Sequence, residues 1–138
     1  MNFKFKIVWR KKYQRSAIRQ YRRRRIKGRR TEYLFHKNNA LQLAKSRIAY
    51  FNTIYQFPIK RITIKNQKTR WGSCSKKGNL NFNYKITLLP THLADYVIVH
   101  ELCHLGEFNH SKAFWKLVSE SIPNYLKIKQ EFKTVSLG

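Results

Sequence analysis

The spacing of hydrophobic residues between positions 31 and 56 predicts a long amphipathic helix. Apolar side chains recur there with a period of roughly 3.6 residues, which places them on one helical face. They are Leu34, Leu41, Ala44, Ile48, Phe51 and Tyr55. Thr31 precedes this stripe and is predicted to cap the helix. Pro58 follows the stripe and is predicted to end the helix.

Shorter segments alternate apolar and polar residues, as half-buried strands do. Residues 1–9 alternate apolar residues with lysines, and residues 61–65 alternate isoleucines with polar residues. Residues 71–75 and 80–84 flank a turn that contains Gly78, which predicts a β-hairpin. The pattern therefore predicts one strand at the N-terminus and a small sheet after the long helix.

The last third of the chain is predicted to be helical. Thr91 follows Pro90 and is predicted to cap a helix that runs to about Leu105. This helix is apolar on nearly every side, so it must be buried on most of its faces. Ser111 is predicted to cap a further helix, and Pro123 to open the last one.

Positive charge is concentrated at the N-terminus. The 138 residues include 30 Lys and Arg but 6 Asp and Glu, a formal net charge of +24. Residues 1–30 hold 14 of the basic residues and none of the acidic ones, and their apolar residues between positions 13 and 21 have helical spacing. The chain therefore divides into a basic arm, residues 1–30, and a domain, residues 31–138. The arm is either a solvated, partly disordered segment, an anchor for a polyanion such as nucleic acid or the ribosome, or a transit peptide.

Cysteine content and hydropathy bear on location. The chain has two cysteines, Cys74 and Cys103, which are too few for a disulfide framework. A reducing, cytoplasmic location is the simplest expectation. No apolar run approaches the roughly 20 residues of a membrane-spanning helix, and the N-terminus lacks the apolar core of a secretory signal. The sequence therefore predicts a cytoplasmic protein with no membrane span.

A histidine pair one helical turn apart is the strongest chemical signal in the chain. His100 and His104 frame the pattern His-Glu-x-x-His, in which two imidazoles on one helical face reach the same metal ion. Glu101 lies beside them, where its carboxylate can take a proton from an activated water. The pattern predicts a zinc site with these two histidines as ligands and Glu101 as general base.

Two residues compete for the third protein ligand. A catalytic zinc site uses three protein ligands and leaves the fourth position to water. His110 has the offset from His100 of the third histidine in enzymes with the motif H-E-x-x-H-x-x-G-x-x-H. Gly106 is predicted to end the helix in a left-handed turn and to bring His110 back. Glu107 would reach the metal only if the helix continued, so His110 is favoured.

A purely structural zinc site is the alternative to a catalytic one. Structural sites close all four positions and favour thiolates. Cys74 is a candidate for the fourth ligand of such a site. Cys103 points away from the histidines along the helix and is predicted to be a core residue.

An ordered series of short motifs surrounds the histidine pair. It comprises residues 69–75 (TRWGSCS), 78–83 (GNLNFN), 89–90 (LP), 95–105 (DYVIVHELCHL), 109–111 (NHS) and 114–115 (FW). Together they resemble the YgjP-like zincin metallopeptidases, a family related to the WLM metal-dependent hydrolases, closely over about residues 59–126. The resemblance implies a zincin-like α+β fold, with a small antiparallel sheet packed against a long N-terminal helix and a buried active-site helix.

The resemblance also implies a ligand set. It implies Zn²⁺ on His100, His104 and His110, with Glu101 as the base. The chain departs from the family at its N-terminus, where longer members have several strands before the long helix. Without those strands, the resemblance does not specify how the sheet is completed or how substrate is bound.

A candidate substrate-binding loop precedes the hairpin turn. Its residues are Arg70, Trp71, Gly72 and Ser73. The resemblance places this loop near the metal, where Arg70 would stabilise an oxyanion or hold a carboxylate or phosphate. In the alternative interpretation the loop is structural: Trp71 packs in the core, Gly72 forms a bulge and Arg70 pairs with Asp95 or Glu107.

Three functions are consistent with these features. The first is a zinc hydrolase of peptide bonds, which the family resemblance implies. The second is a zinc hydrolase of phosphoanhydrides such as nucleotides, which a basic surface would favour. The third is a nucleic-acid- or ribosome-associated protein in which the zinc site is secondary. The histidine motif specifies how water is activated and leaves the substrate and the oligomeric state open.

Deleting residues 1–30 tests the basic arm. We expect the truncated protein to lose most of its salt-dependent binding to a polyanion, because counterion release scales with the number of basic residues in contact. Zinc content is expected to be unchanged. Binding to a nucleic-acid duplex, measured across a salt series, checks this, and unchanged affinity after the deletion would show that the arm is not the anchor.

Overall fold

A long helix begins the described part of the chain. The computed structural model describes the backbone of residues 3–137 and the side chains of residue 19 and residues 28–137. Helix α1 spans Phe3–Tyr55. The chain divides into two compact units, Met1–Phe35 and His36–Gly138. The first unit is helical from Phe3 onward.

Two sequence predictions about the N-terminus are wrong. The predicted strand at residues 1–9 is helical from Phe3, with residues 1 and 2 outside the described part, and Thr31 lies inside α1 instead of capping it. A period-2 pattern this short depends on a neighbouring strand to stabilise it, whereas the arginines and lysines that follow are good helix formers. Gly28 does not end the helix, because one glycine in a helix interior costs only about 1 kcal/mol. The polyanion contact of the arm stays a prediction.

Helix α1 ends in a side-chain clamp. The Asn52 amide donates to the Phe57 carbonyl at 3.0 Å and accepts from the Phe57 backbone N–H at 2.9 Å. Between them, Gln56 has a φ of 55°, in the left-handed region that commonly closes helices. The helix therefore ends at Tyr55, just before the predicted stop at Pro58.

The remaining elements are three strands and four helical segments. They are β1 (Arg61–Lys65), β2 (Gly72–Cys74), β3 (Asn79–Asn83), a 3-10 helix (Tyr84–Leu88), α2 (Thr91–Cys103), α3 (Lys112–Ser121) and α4 (Tyr125–Phe132). This confirms the predicted α+β class. Within the described residues, no helix is both long enough and apolar enough to cross a membrane.

The three strands form a mixed sheet. Its order is β1-β3-β2, with β2 antiparallel to β3 and β1 parallel to β3. The predicted hairpin is therefore confirmed, and Gly78 occupies its turn with a φ of 82°. The expectation of a wholly antiparallel sheet is wrong, because β1 pairs with the second strand of the hairpin and not with the first. That pairing depends on a contact distant in sequence, which local alternation does not specify.

Helix α2 lies in the core and contacts the sheet, α3 and α4. Nine of its residues are buried: Leu93, Ala94, Tyr96, Val97, Ile98, Val99, Glu101, Leu102 and Cys103. This confirms that the helix is covered on most faces. Pro90 is its N-cap and no side chain caps it, so the predicted cap at Thr91 is wrong; Thr91 is already helical.

The predicted starts of α3 and α4 agree with the structure. The Ser111 hydroxyl accepts a hydrogen bond from the Phe114 backbone N–H at 3.3 Å, which confirms Ser111 as the cap of α3. Pro123 precedes Asn124, the N-cap of α4. Local capping chemistry therefore predicts these boundaries, because it involves residues adjacent in sequence.

An ion pair ties the C-terminal part of α1 to α2. Arg47 Nε lies 2.6 Å from Asp95 Oδ1, and Arg47 Nη2 lies 2.7 Å from Asp95 Oδ2. The two side chains are only 29% and 15% exposed. Two parallel charge-assisted hydrogen bonds in this partly buried place constrain both distance and orientation.

Replacing Asp95 with asparagine tests this link. We expect Asp95→Asn to lower the free energy of unfolding by about 1–3 kcal/mol, because one charge and one of two parallel hydrogen bonds are lost. Glu131→Gln is the matched control, since Glu131 pairs with His92 at a surface where both side chains are nearly half exposed (46% and 48%). That change is expected to cost about 0–1 kcal/mol. Denaturant unfolding of both variants checks the difference, and equal effects would contradict it.

Candidate metal centre

The end of α2 and the turn after it bring three histidines together. His100 lies in the last turn of α2 and His104 is the C-cap of that helix, still in the helical region, so the four-residue spacing puts both rings on one face. His110 comes from the loop between α2 and α3. The Nε2 atom of His100 lies 3.0 Å from His110 Nε2 and 3.2 Å from His104 Nε2. The three predicted ligands therefore converge on one point.

The separation of these nitrogens fits a tetrahedral metal ion. Zinc–imidazole bonds of about 2.0–2.1 Å place two ligand nitrogens of a tetrahedron about 3.3 Å apart. The potential ligand atoms of His100, His104 and His110 all lie within 4.8 Å of one another. Among the described residues they form the single such group of three or more His, Cys, Asp or Glu side chains. The arrangement suits three neutral imidazoles around one cation.

A backbone hydrogen bond sets the tautomer of His104. Its Nδ1 donates to the carbonyl oxygen of Glu107 at 3.0 Å, which leaves a lone pair on Nε2, the atom that points into the cluster. Outer hydrogen bonds of this kind orient metal-binding histidines. Glu107 thus contributes its backbone, and its carboxylate is not part of the ligand group.

The turn after α2 differs from the predicted one. The helix ends at Cys103, and Gly106 is not in the left-handed region. The glycine is needed for another reason: a Cβ at Gly106 would lie 2.6 Å from Phe57 Cζ and 3.1 Å from Leu117 Cδ1. A close approach to the end of α1 and to α3, and not a special φ, therefore requires glycine here.

Aromatic rings pack against the histidine cluster. The His100 ring contacts Phe114 at a centroid distance of 5.0 Å and Trp115 at 6.0 Å. The His104 ring stacks on Phe114 at 4.5 Å. His100 Nδ1 is buried and has no hydrogen-bond partner among the described residues. Packing, more than hydrogen bonding, therefore orients His100.

Burial favours the neutral form of His100 and His104. It lowers the pKa of His100 to about 3, and the neighbouring His104, His110 and Lys129 lower it further. Burial also lowers the pKa of His104, although the hydrogen bond to the Glu107 carbonyl opposes this shift. Neutral imidazole is the form that binds a metal ion.

Burial has the opposite effect on Glu101. It raises the pKa of this carboxyl to about 7, while the positive charge of Arg70 lowers it. A carboxyl group with such a pKa exchanges a proton readily near neutral pH. Gly72 makes this burial possible, because a Cβ there would lie 2.6 Å from Glu101 Cγ. Gly72 is the first residue of β2 and pairs regularly with Phe82, so it is not a bulge.

The predicted substrate-binding loop lies partly in the site. Arg70, Trp71 and Gly72 line a cavity of about 360 Å³ together with His100 and Glu101. Ser73 does not line this cavity, and its hydroxyl accepts a hydrogen bond from the Asn81 side chain at 3.2 Å. Arg70 does not pair with Asp95, whose carboxylate is held by Arg47.

A buried asparagine positions this loop. Asn83 is fully buried, and its side-chain amide donates to the carbonyls of Gln67 at 2.7 Å and Arg70 at 3.1 Å. Its backbone N–H donates to the Trp71 carbonyl at 2.8 Å. Its side-chain oxygen accepts from the Lys85 backbone N–H at 3.1 Å. One side chain therefore joins the loop to the end of β3.

Sequence reasoning missed the other wall of the cavity. Its further lining residues are Tyr96, Val97, Lys129, Phe132 and Lys133. The last three come from the C-terminal end of α4, far from the motif in sequence. No spacing rule relates them to His100, so only the packing of α4 against α2 brings them together.

The cysteines take no part in the ligand group. Cys103 is fully buried, as predicted for a core residue. The Cys74 thiol lies 3.6 Å from the Ser75 carbonyl, to which it donates, and burial raises its pKa to about 11. A neutral thiol outside the histidine group does not support the closed structural site in which Cys74 would be the fourth ligand.

Removing one histidine tests the metal centre. We expect His110→Ala to weaken zinc binding by about a hundredfold or more, because even outer-shell changes cost about 10–100-fold. His92→Ala is the matched control, since His92 is exposed and lies outside the cluster. Zinc should raise the melting temperatures of the wild type and of His92→Ala. It should raise the melting temperature of His110→Ala much less. Equal zinc-induced shifts in all three proteins would contradict the assignment.

Comparison with solved structures identifies the fold. The metallopeptidase zymogen abylysin of Pyrococcus abyssi has a TM-score of 0.59 and 22% identity, with 66% of this chain and 92% of that chain covered. The zymogen jannalysin of Methanocaldococcus jannaschii has a TM-score of 0.53 and 24% identity, covering 67% and 92%. A Wss1 mutant from Saccharomyces cerevisiae has a TM-score of 0.54 and 19% identity, covering 69% and 84%. These likenesses establish a zincin-like metallopeptidase fold.

Sequence comparison identifies the family. No curated protein sequence matches the chain. The profile of the YgjP-like metallopeptidase domain, in contrast, matches residues 4–135, which is nearly the whole of the chain. That family implies a divalent metal, and His100, His104 and His110 form a group that could hold one. The protein therefore belongs to the YgjP-like metallopeptidase family.

Proposed function

We propose that the protein is a zinc-dependent hydrolase of peptide bonds in which Glu101 is the general base. The observation that carries this proposal is the convergence of three imidazole nitrogens beside a buried carboxyl group. Three protein ligands would leave a further position for water, as in catalytic zinc sites. Membership of a metallopeptidase family supports peptide as the substrate.

The metal and the protein have separate roles in this mechanism. His100, His104 and His110 would hold Zn²⁺, which would supply Lewis acidity to a water molecule and to the substrate carbonyl group. The Glu101 carboxylate accepts a proton from water as the water oxygen bonds to the carbonyl carbon. The protonated Glu101 then donates this proton to the amine as the C–N bond breaks, so the carboxylate is restored. The apolar surroundings that raise its pKa make the carboxylate a stronger base and so favour acceptance of the proton from water.

The loop before β2 has a positioning role. Arg70 lines the same cavity as Glu101, where its guanidinium can bind a developing oxyanion or an anionic part of the substrate. Asn83 holds the backbone of this loop through Arg70 and Trp71. The cytoplasmic location stays a prediction that rests on the cysteine content of the sequence.

A second candidate function is hydrolysis of a phosphoanhydride such as a nucleotide. The cationic residues of the cavity, Arg70, Lys129 and Lys133, favour it. The same water activation by Glu101 would serve this reaction. A substrate screen with peptides and nucleotides side by side distinguishes the two.

Replacing Glu101 with glutamine tests its role as base. We expect Glu101→Gln to retain zinc and to lower the rate of hydrolysis by about 10²–10⁴-fold, because the amide has the same shape but cannot accept the proton of water. Metal analysis and initial rates on the substrate found in the screen measure the two effects.

Glu120→Gln is the matched control for this change. Glu120 is an exposed carboxylate of α3 and does not line the cavity. We expect it to keep both zinc and rate. Turnover by zinc-loaded Glu101→Gln at the wild-type rate would refute the assigned role.

A further inference from the structure

The cavity beside the metal centre carries an excess of positive charge. Arg70 enters from the loop before β2, and Lys129 and Lys133 enter from the end of α4. Glu101 is the single carboxylate among the lining residues. An excess of this kind attracts an anionic group to the place where substrate must lie for hydrolysis.

None of the three cations is within ion-pair distance of a carboxylate among the described residues, although the charge of Arg70 acts on Glu101. All six acidic residues of the chain belong to the part whose side chains the structure describes, and its two ion pairs are Arg47–Asp95 and His92–Glu131. Lys129 Nζ instead lies 3.9 Å from the centroid of the Trp115 ring. This cation–π contact keeps the ammonium group next to the ring that also contacts His110.

Aromatic rings form the apolar part of the same cavity. Phe132 contacts Trp71 at a centroid distance of 5.8 Å and Tyr96 at 5.4 Å. Tyr96 in turn contacts the His100 ring at 6.0 Å. The cavity therefore joins an aromatic surface to a set of cations. A ligand that suits it has a short apolar stem and one anionic end.

The geometry points to a specificity pocket for an acidic side chain of the peptide substrate. The carboxylate of a glutamate or aspartate near the scissile bond binds Arg70, Lys129 and Lys133, and its methylene groups lie on the aromatic surface. This inference rests on the proposed peptidase function and names its substrate class. A volume of about 360 Å³ is near the lower end of roughly 300–1,000 Å³ for ligand pockets, which suits one side chain better than a large ligand.

The backbone around the cavity favours a carboxylate over a polyphosphate. Polyphosphates are commonly held by the N–H groups of a helix N-terminus. The lining residues contributed by α2 belong to its middle and C-terminal half, and those from α4 to its C-terminal end. Carbonyl groups at a helix C-terminus carry partial negative charge, which repels anions. The lysines can offset this repulsion for the single charge of a carboxylate, but less well for the several charges of a polyphosphate.

Binding to peptide pools tests the pocket without requiring turnover. Zinc-loaded Glu101→Gln protein is titrated into fluorescent pools of short peptides, blocked at both ends, with the central residue fixed as Glu, Gln or Lys. We expect the Glu pool to bind about tenfold or more tightly than the Gln pool, because a charge-assisted contact is lost in the latter. The Lys pool should bind more weakly still.

Reversing one charge of the pocket provides a gain-of-function test. In the same background, Lys133→Glu should remove the preference for Glu over Gln and improve binding of the Lys pool. Lys127→Gln is the matched control, because Lys127 is an exposed lysine of the same helix outside the cavity. It should leave the ratio of Glu to Gln affinities unchanged.

Several outcomes would overturn the pocket assignment. Equal affinity for the Glu and Gln pools would do so, as would an unchanged preference in Lys133→Glu. A Gln pool with a free C-terminus that binds as tightly as the Glu pool would show that the pocket takes a chain end. Tripolyphosphate binding tenfold tighter than the Glu pool would show that it takes phosphates.

Hydrolysis is scored separately with the wild-type protein on the same pools. Absence of cleavage of every pool would overturn the proposed peptidase function even if the Glu pool binds best. Cleavage of all pools at equal rates and with equal affinities would overturn the pocket and leave the peptidase function standing. The two proposals therefore fail in different ways.

Discussion

The burial of α2 is the constraint on which the site depends. This helix is covered by the sheet, α3 and α4, so Glu101 is buried and His100 and the C-cap His104 are partly buried. Removal from water disfavours charge, which lowers the pKa values of the two histidines and raises that of the glutamate. Burial is therefore the common physical cause of two properties of the site. It keeps these two imidazoles neutral and able to bind a cation, and it gives the carboxyl group a pKa at which it can exchange a proton.

Close approach at two glycines permits this burial. A side chain at Gly72 would collide with Glu101, and one at Gly106 would collide with Phe57. Strand β2 and the turn after α2 can lie against the motif only because these positions lack a Cβ. Asn83 then fixes the loop before β2 through hydrogen bonds that are themselves buried. The loop that lines the cavity is therefore held close to Glu101 on a rigid part of the fold.

Elements whose signals are local were predictable from the sequence. The hairpin around Gly78, the Ser111 cap and the extent of α2 follow from turn chemistry, capping and periodicity. Three other local predictions were wrong, namely the caps at Thr31 and Thr91 and the left-handed turn at Gly106. Two predictions that depended on distant partners were wrong as well. The predicted strand at residues 1–9 lies in α1 from Phe3 onward, because a short alternating pattern needs a neighbouring strand to stabilise it. The parallel pairing of β1 with β3 joins segments separated by the whole hairpin turn and β2, which no local pattern encodes.

The sequence by itself determined the chemistry of the centre. Two histidines four residues apart share a helical face in any α-helix. The same geometry places the side chain of the glutamate next to that face. Only the tertiary structure decided what surrounds them: the turn that brings His110 back, the backbone carbonyl that orients His104, and the cationic wall from α4. The reason is that helical spacing is a property of neighbouring residues, whereas a cavity exists only where elements distant in sequence pack against each other.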